Sequence, residues 1–178
     1  MNRYRKWASQ EHSTGKQVLT LAVAGLLLVV LIPYLLIKYC PGLDQRWHLP
    51  DFYGGVVNLT VGIAMIGLGL GLAWWSIYRQ LTIGQGTPVP IAPTKKLVVR
   101  APFTYCRNPM TLGTIVAYLG LCVCIGSISA ILIILILATV LLLYIKLLEE
   151  RELEARFGAE YLAYKRSTPF ILPRKPRR

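Results

Sequence analysis

Arg107, Asn108 and Pro109 stand together where a charged, proline-rich loop gives way to a long apolar run. The run leaves on a second polar cluster, in which Lys146, Glu149, Glu150 and Glu154 precede Phe157, Tyr161 and Tyr164. At 100° per residue, Lys146, Glu154, Phe157, Tyr161 and Tyr164 project within about 40° of Glu150, and Glu149 lies about 100° away. One helical face then carries a cation, two acids and three aromatics. A carboxylate can hydrogen-bond an ammonium or ribose hydroxyls, and an aromatic face attracts a sulfonium. Arginine takes a carboxylate through two parallel bonds. S-adenosylmethionine combines those parts, and an ATP-like or lipid head-group ligand meets some of them. The same spacing also describes an amphipathic helix lying on lipid with Glu150 solvated. Gly158 is a point at which that helix can break.

The elements that must position these residues are mostly apolar. The chain has 178 residues, of which 54% are hydrophobic and 16% charged, far from a soluble average and within the size of one domain. Its apolar residues gather in three runs, Val18 to Ile37, Val56 to Ile77 and Leu112 to Leu148. A crossing takes roughly 20 apolar residues, so the third run is too long for one. Gly126 and Ser127, within CIGSIS, favour a turn that splits it in two. The fold class expected is all-α: a polytopic membrane bundle of four transmembrane helices, the last two a tight hairpin, with a cytoplasmic C-terminal helix extension.

Charge sets the orientation. The net charge is +12, with four Lys/Arg before the first run, five from Arg79 to Arg107 and nine from Lys146 onward, against two between Lys38 and Asp51. With four spans the rich segments fall on one side, which the positive-inside rule makes cytoplasmic. This divides a single membrane domain into a cytoplasmic N-terminal segment (1–16), two transmembrane helices (17–78), a cytoplasmic loop (79–109), a transmembrane hairpin (110–148) and a cytoplasmic helix and tail (149–178). Both termini are then cytoplasmic in a multi-pass integral membrane protein. The first run reads as a retained anchor rather than a cleaved signal. Tyr4 and Trp7 before it suit the head-group region, and Pro33 is expected to kink it. The basic tail suits anionic lipid, so membrane topology accounts for the basicity and no nucleic-acid partner is expected.

Other features read as packing. Cys40, Cys106, Cys122 and Cys124 show no ligand spacing, and His12 and His48 fall on opposite sides of the expected membrane, so no metal is anticipated. Gly67 and Gly71, within GLGLGLAWW, read as a small-residue face for close helix approach and not as a nucleotide loop. Trp74 and Trp75 suit the cytoplasmic interface. The loop after Arg79, with Pro88, Pro90, Pro93 and Pro102, cannot be one helix. Its apolar residues (Ile91, Leu97, Val98, Val99, Phe103, Tyr105) predict an ordered cover for the bundle end. Pro109 suits a first helical turn.

The stretch GQGTPVPIAPTKKLVVRAPFTYCRNPMTLG, an apolar hairpin, and then EERELEARFGAEYLAYKRSTPFILPR resembles the isoprenylcysteine carboxyl methyltransferase and phospholipid methyltransferase superfamily, over Gly84 to Arg174. The resemblance implies a cytoplasmic-end site for S-adenosylmethionine and a cleft open to the bilayer. It places Arg107, Asn108, Pro109, Gly113, Glu149, Glu150, Tyr161, Tyr164 and Pro169 at the cofactor and Pro173 in the closing element; Glu150 and Arg107 are expected at the chemistry, with Lys146 as the cation that orients an acidic acceptor. The acceptor is a lipophilic small molecule or lipidated molecule entering from the bilayer, with membrane lipid as partner; no oligomeric partner is specified. Several positions depart from the family pattern: Ala101 stands where glycine is frequent, Thr111 where tyrosine is, and Phe170 where a basic residue is. Ile145 replaces the arginine of prenylcysteine-specific members, with Lys146 the nearest cation.

The expected function is methyl transfer from S-adenosylmethionine to that acceptor, as carboxyl O-methylation of the isoprenylcysteine type. The alternative is N-methylation of a phospholipid amine. Two readings of other classes stay beside it: an NADPH-dependent sterol-reductase-like protein, against which the four spans count, and a non-catalytic membrane protein retaining the fold.

Overall fold

The computed structural model describes residues 25–50, 52, 54–84 and 96–175. The N-terminal segment, the first part of the first apolar run and the loop stretch 85–95 with Pro88, Ile91 and their neighbours lie outside the described residues, as do residues 176–178 of the tail. All regular structure among the described residues is helical. We label the helices α1 (Leu27–Arg46), α2 (Val56–Gly84), α3 (Pro109–Ile125), α4 (Ile128–Phe157) and α5 (Ala159–Ser167). Helices α1, α2 and α4 are long and apolar enough to cross a membrane. The remaining apolar segment, α3, has 17 residues, short of the roughly 20 a crossing takes.

Three π-helical stretches interrupt these helices, and their causes differ. In α1 the stretch Leu27–Leu31 ends two residues before Pro33, and the Ile32 N–H reaches back to the Leu27 carbonyl. Pro33 has no N–H to donate, so the wider register meets the disturbance expected of it. The stretches Gln80–Gly84 in α2 and Ile145–Glu149 in α4 contain no proline. Helix α1 also outlasts the apolar run, continuing from Ile37 to Arg46 through what reads as a loop in the sequence. Its polar residues find partners: Lys38 Nζ donates to Tyr34 Oη at 2.8 Å, and Asp44 is buried against another helix start. Likewise α2 runs past Arg79 to Gly84.

The described chain separates into two compact units. One comprises residues 22–71 and 113–141. Its buried core is Leu36, Cys40, Cys122, Ala130 and Ile134, so two cysteines pack as small apolar residues. Gly126, at φ 72°, makes the turn between α3 and α4. Ser127 Oγ accepts from the Ala130 N–H at 3.2 Å, a helix N-cap. Asp44 Oδ1 accepts from the Ser129 N–H at 2.8 Å, and Ser129 Oγ donates to the Cys40 carbonyl at 2.9 Å. A carboxylate from α1 thus satisfies an orphan donor at the start of α4. Close helix approach occurs at glycines other than those expected. A Cβ on Gly69 would lie 2.5 Å from the Gly113 carbonyl oxygen and the Ala117 nitrogen, and one on Gly62 would strike Cys124 and the Gly120 carbonyl. Gly67 and Gly71 face open space.

The other unit comprises, among the described residues, 72–84, 96–112 and 142–175. Its buried core is Val98, Phe103, Tyr161 and Tyr164, with Ile83, Leu97, Leu153 and Phe157 packed on it. Of the loop residues expected to form a cover, Val98 and Phe103 are buried and Leu97 packs on them, whereas Val99 and Tyr105 are exposed. The site lies in this unit.

Candidate functional site

Helix α4 does not present one uninterrupted face. Over Ile145–Glu149 it widens to π register, with the Glu150 N–H reaching the Ile145 carbonyl. In this register residues five apart stack, not those four apart. Ile145 and Glu150 are accordingly both buried, while Lys146 and Glu149 are exposed. Lys146, projected beside Glu150 on a regular helix, sits off that face for this reason.

The helix then ends at Phe157, and Gly158, at φ 56°, starts α5. A straight helix would carry Lys165 about 22 Å along its axis from Glu150. Instead Lys165 Nζ lies 2.9 Å from Glu150 Oε2 and 2.6 Å from Glu154 Oε1. The chain folds back at Gly158, a conformation that glycine adopts without a Cβ penalty. This reversal, not a continuous helical stripe, brings Tyr161 and Tyr164 alongside.

Arg107 and Glu150 meet. Arg107 Nη1 lies 2.5 Å from Glu150 Oε1, with side chains 10% and 3% exposed. Burial of this degree makes the pair costly unless its remaining hydrogen-bonding capacity is filled. Yet Arg107 Nε, Arg107 Nη1 and Glu150 Oε1 are buried without a hydrogen-bond partner. Nη1 and Oε1 thus meet as an ion pair without hydrogen-bond geometry, and Nε meets no acceptor. Tyr161 takes a hydrogen bond from Arg107, and burial, reinforced by the Glu150 charge, pushes its hydroxyl up to about 12. Tyr164 Oη donates to the Phe103 carbonyl at 2.7 Å and its ring meets Tyr161 edge-on; burial raises its hydroxyl further. The Lys165 ammonium is held charged by hydrogen bonds to Glu154 and then Glu150.

The remaining residues expected at the cofactor serve the frame. Arg107 N–H donates to the Pro169 carbonyl at 2.9 Å, and Asn108 Nδ2 to the Phe170 carbonyl at 3.0 Å. The Arg174 N–H returns to Tyr105 at 3.0 Å. These bonds strap the C-terminal segment onto the start of α3, where Pro109 is the first helical residue. Gly113 belongs to the other unit, its carbonyl against Gly69. Two residues that the spacing did not mark stand at the pair: Lys165, which bridges both acids, and Phe170, whose ring lies 5.6 Å from the Arg107 guanidinium. Among the described residues no three His, Cys, Asp or Glu gather as a metal site.

The sequence model of the phospholipid methyltransferase family matches residues 57–160. The chain belongs to this family. Its members are membrane methyltransferases that generally use S-adenosylmethionine. The matched span contains Arg107, Asn108, Pro109 and both glutamates and ends just before Tyr161 and Lys165. No curated protein and no solved structure matches the chain.

Proposed function

We propose that the protein is an integral-membrane methyltransferase that holds S-adenosylmethionine at the Arg107–Glu150 pair and methylates a lipophilic acceptor. The observation that carries this reading is the buried pair with unfilled hydrogen-bonding capacity, in a chain of this family. The residues fit the cofactor: Arg107 Nε and Nη1 suit its carboxylate, and Glu150 Oε1 suits an ammonium or ribose hydroxyl. The Tyr161 and Phe157 rings suit a cationic centre.

When bound, S-adenosylmethionine supplies an electrophilic methyl group on a sulfonium. Displacement at such a methyl needs alignment and the exclusion of water, so positioning supplies much of the rate. Arg107 is itself positioned by the Phe170 ring and by its backbone bond to Pro169. Lys165 fixes the second oxygen of Glu150, and Arg107 meets the first, so the carboxylate is held from both sides.

The acceptor reading is carboxyl O-methylation of an isoprenylcysteine-like molecule, which requires no general base. The second reading is N-methylation of a phospholipid amine, which is in keeping with a phospholipid methyltransferase family. That acceptor must shed a proton, for which Glu150 is the carboxylate at the pair. Calorimetry in detergent with S-adenosylmethionine and with NADPH tests the proposal, followed by transfer from methyl-tritiated cofactor to membrane extracts. Binding of S-adenosylmethionine alone and label in a lipid or lipidated fraction are expected. Binding of NADPH, or of neither, contradicts it.

A further inference from the structure

The acceptor needs recognition of its own, beyond the residues at the Arg107–Glu150 pair. Ile145 stands buried where a cation would face the pair, and Lys146 is exposed on the far side of the π turn. Among the described residues, four cations are neither exposed nor fully buried: Arg79, Arg107, Arg156 and Lys165. Three have carboxylate partners, Arg107 on Glu150, Arg156 on Glu152 and Lys165 on Glu150 and Glu154. Arg79 has no such partner among the described residues, and its Nε is buried without a hydrogen bond. The adjacent Gln80 Oε1 is buried and unpartnered as well. A buried donor and a buried acceptor left open on consecutive residues cost stability that a ligand would restore.

Their place in the fold points the same way. Arg79 immediately precedes the π stretch Gln80–Gly84, which carries Ile83. Ile83 packs on the cluster of Val98, Phe103, Tyr161 and Tyr164 that flanks the Arg107–Glu150 pair. Gln80 opens a π stretch with no proline to cause it, as does the stretch beside Glu150, and such stretches gather at functional sites. Trp74 and Trp75, both exposed, precede Arg79 by about a turn and suit the membrane interface.

We propose that Arg79 and Gln80 form a second polar subsite, in which Arg79 holds the anionic group of a membrane-borne amphiphile and Gln80 accepts from its nearby N–H. The proposal rests on the methyltransferase reading and names the acceptor's head-group chemistry, an anion with an N–H donor close by. A carboxylate beside an amide and a phosphate beside an ammonium both meet it.

The test is direct binding in detergent, followed by tryptophan fluorescence, with three probes. N-dodecanoylglycine offers a carboxylate and an amide, dodecylphosphoethanolamine a phosphate and an ammonium, and N-dodecanoylethanolamine an amide without charge. The native protein is expected to bind one anionic probe about tenfold more tightly than the neutral one. Arg79→Gln abolishes that preference while leaving S-adenosylmethionine affinity unchanged, and Gln80→Leu weakens all three probes. Arg79→Lys, which keeps the charge and supports folding if Arg79→Gln does not, narrows the preference without lowering the melting temperature. Preference for the carboxylate probe identifies a carboxyl acceptor, and preference for the phosphate probe a phospholipid. Equal binding of charged and neutral probes, or an intact preference in both Arg79 variants, overturns the subsite. Loss of cofactor affinity together with the preference overturns it too, by assigning Arg79 to the cofactor. An Arg79-dependent preference in a protein that binds no S-adenosylmethionine upholds the subsite and contradicts the methyltransferase reading instead.

Discussion

The two oxygens of Glu150 face different neighbours: Oε2 meets the Lys165 ammonium, and Oε1 meets Arg107 without a hydrogen bond. The clearest unfilled capacity at the pair is therefore Arg107 Nε, which meets no acceptor. Nearby, Tyr164 is as buried as a site residue but fully engaged with the Phe103 carbonyl. The two residues should respond oppositely to loss of their polar atoms. Glu150→Gln keeps shape and removes charge; it should weaken S-adenosylmethionine binding at least about tenfold, some 1.4 kcal/mol, in calorimetry. Tyr164→Phe leaves a buried carbonyl unpaired and should lower stability by about 1–3 kcal/mol in thermal melts while cofactor affinity holds. Normal affinity in the first variant, or lost affinity in the second, reverses those roles. Arg107 and Glu150 were legible in the sequence through a two-block resemblance. Lys165 was not, because no regular helical spacing relates it to Glu150 across the reversal at Gly158.

At the scale of elements, periodicity located the apolar helices but not every face. The projection that set Lys146 beside Glu150 assumed 100° per residue, and the π stretch Ile145–Glu149 puts Ile145 there instead. Glycine spacing misled in a similar way: Gly67 and Gly71 are four apart and open, whereas Gly62 and Gly69, seven apart, carry the close approaches. Composition cannot say which face of an all-apolar helix meets a neighbour. Gly69→Leu should therefore lower the melting temperature sharply, by about 1–3 kcal/mol or more of overpacking, while Gly67→Leu and Gly71→Leu leave it near that of the native protein. Equal effects at all three positions contradict the packing described. The polar end of α1 carries a comparable dependence. Asp44→Ala removes the carboxylate that accepts from Ser129 and should cost about 0.5–2 kcal/mol, the worth of a helix cap, in the same melts.

At the scale of the whole molecule, the C-terminal helix ties stability to protonation. Burial holds the Tyr161 hydroxyl up to about 12, and Tyr164 and Lys165 are raised as well. An unfolded tyrosine loses its proton near pH 10 and an unfolded lysine near 10.4. Above those values the unfolded chain binds fewer protons than the folded one, so stability falls as pH rises. Melting temperatures in detergent should be level up to about pH 9.5 and decline from about pH 10 toward pH 12, less steeply in Tyr161→Phe. A level profile throughout removes the buried-tyrosine account. Charge distribution and hydropathy were enough to read a membrane protein from the sequence, and three long apolar helices accord with it. They could not show that the C-terminal helix reverses and straps itself to the loop before α3, which depends on one glycine and a few backbone bonds.

The claim on which the function depends is that Arg107 and Glu150 act on one ligand together, and a double-mutant cycle measures that most directly. S-adenosylmethionine affinity is measured calorimetrically in the native protein, Arg107→Gln, Glu150→Gln and the double variant, all shown to be folded. The two residues should be strongly coupled, with the double variant losing little more affinity than either single one. Losses that simply add, or native affinity in either single variant, contradict a shared site.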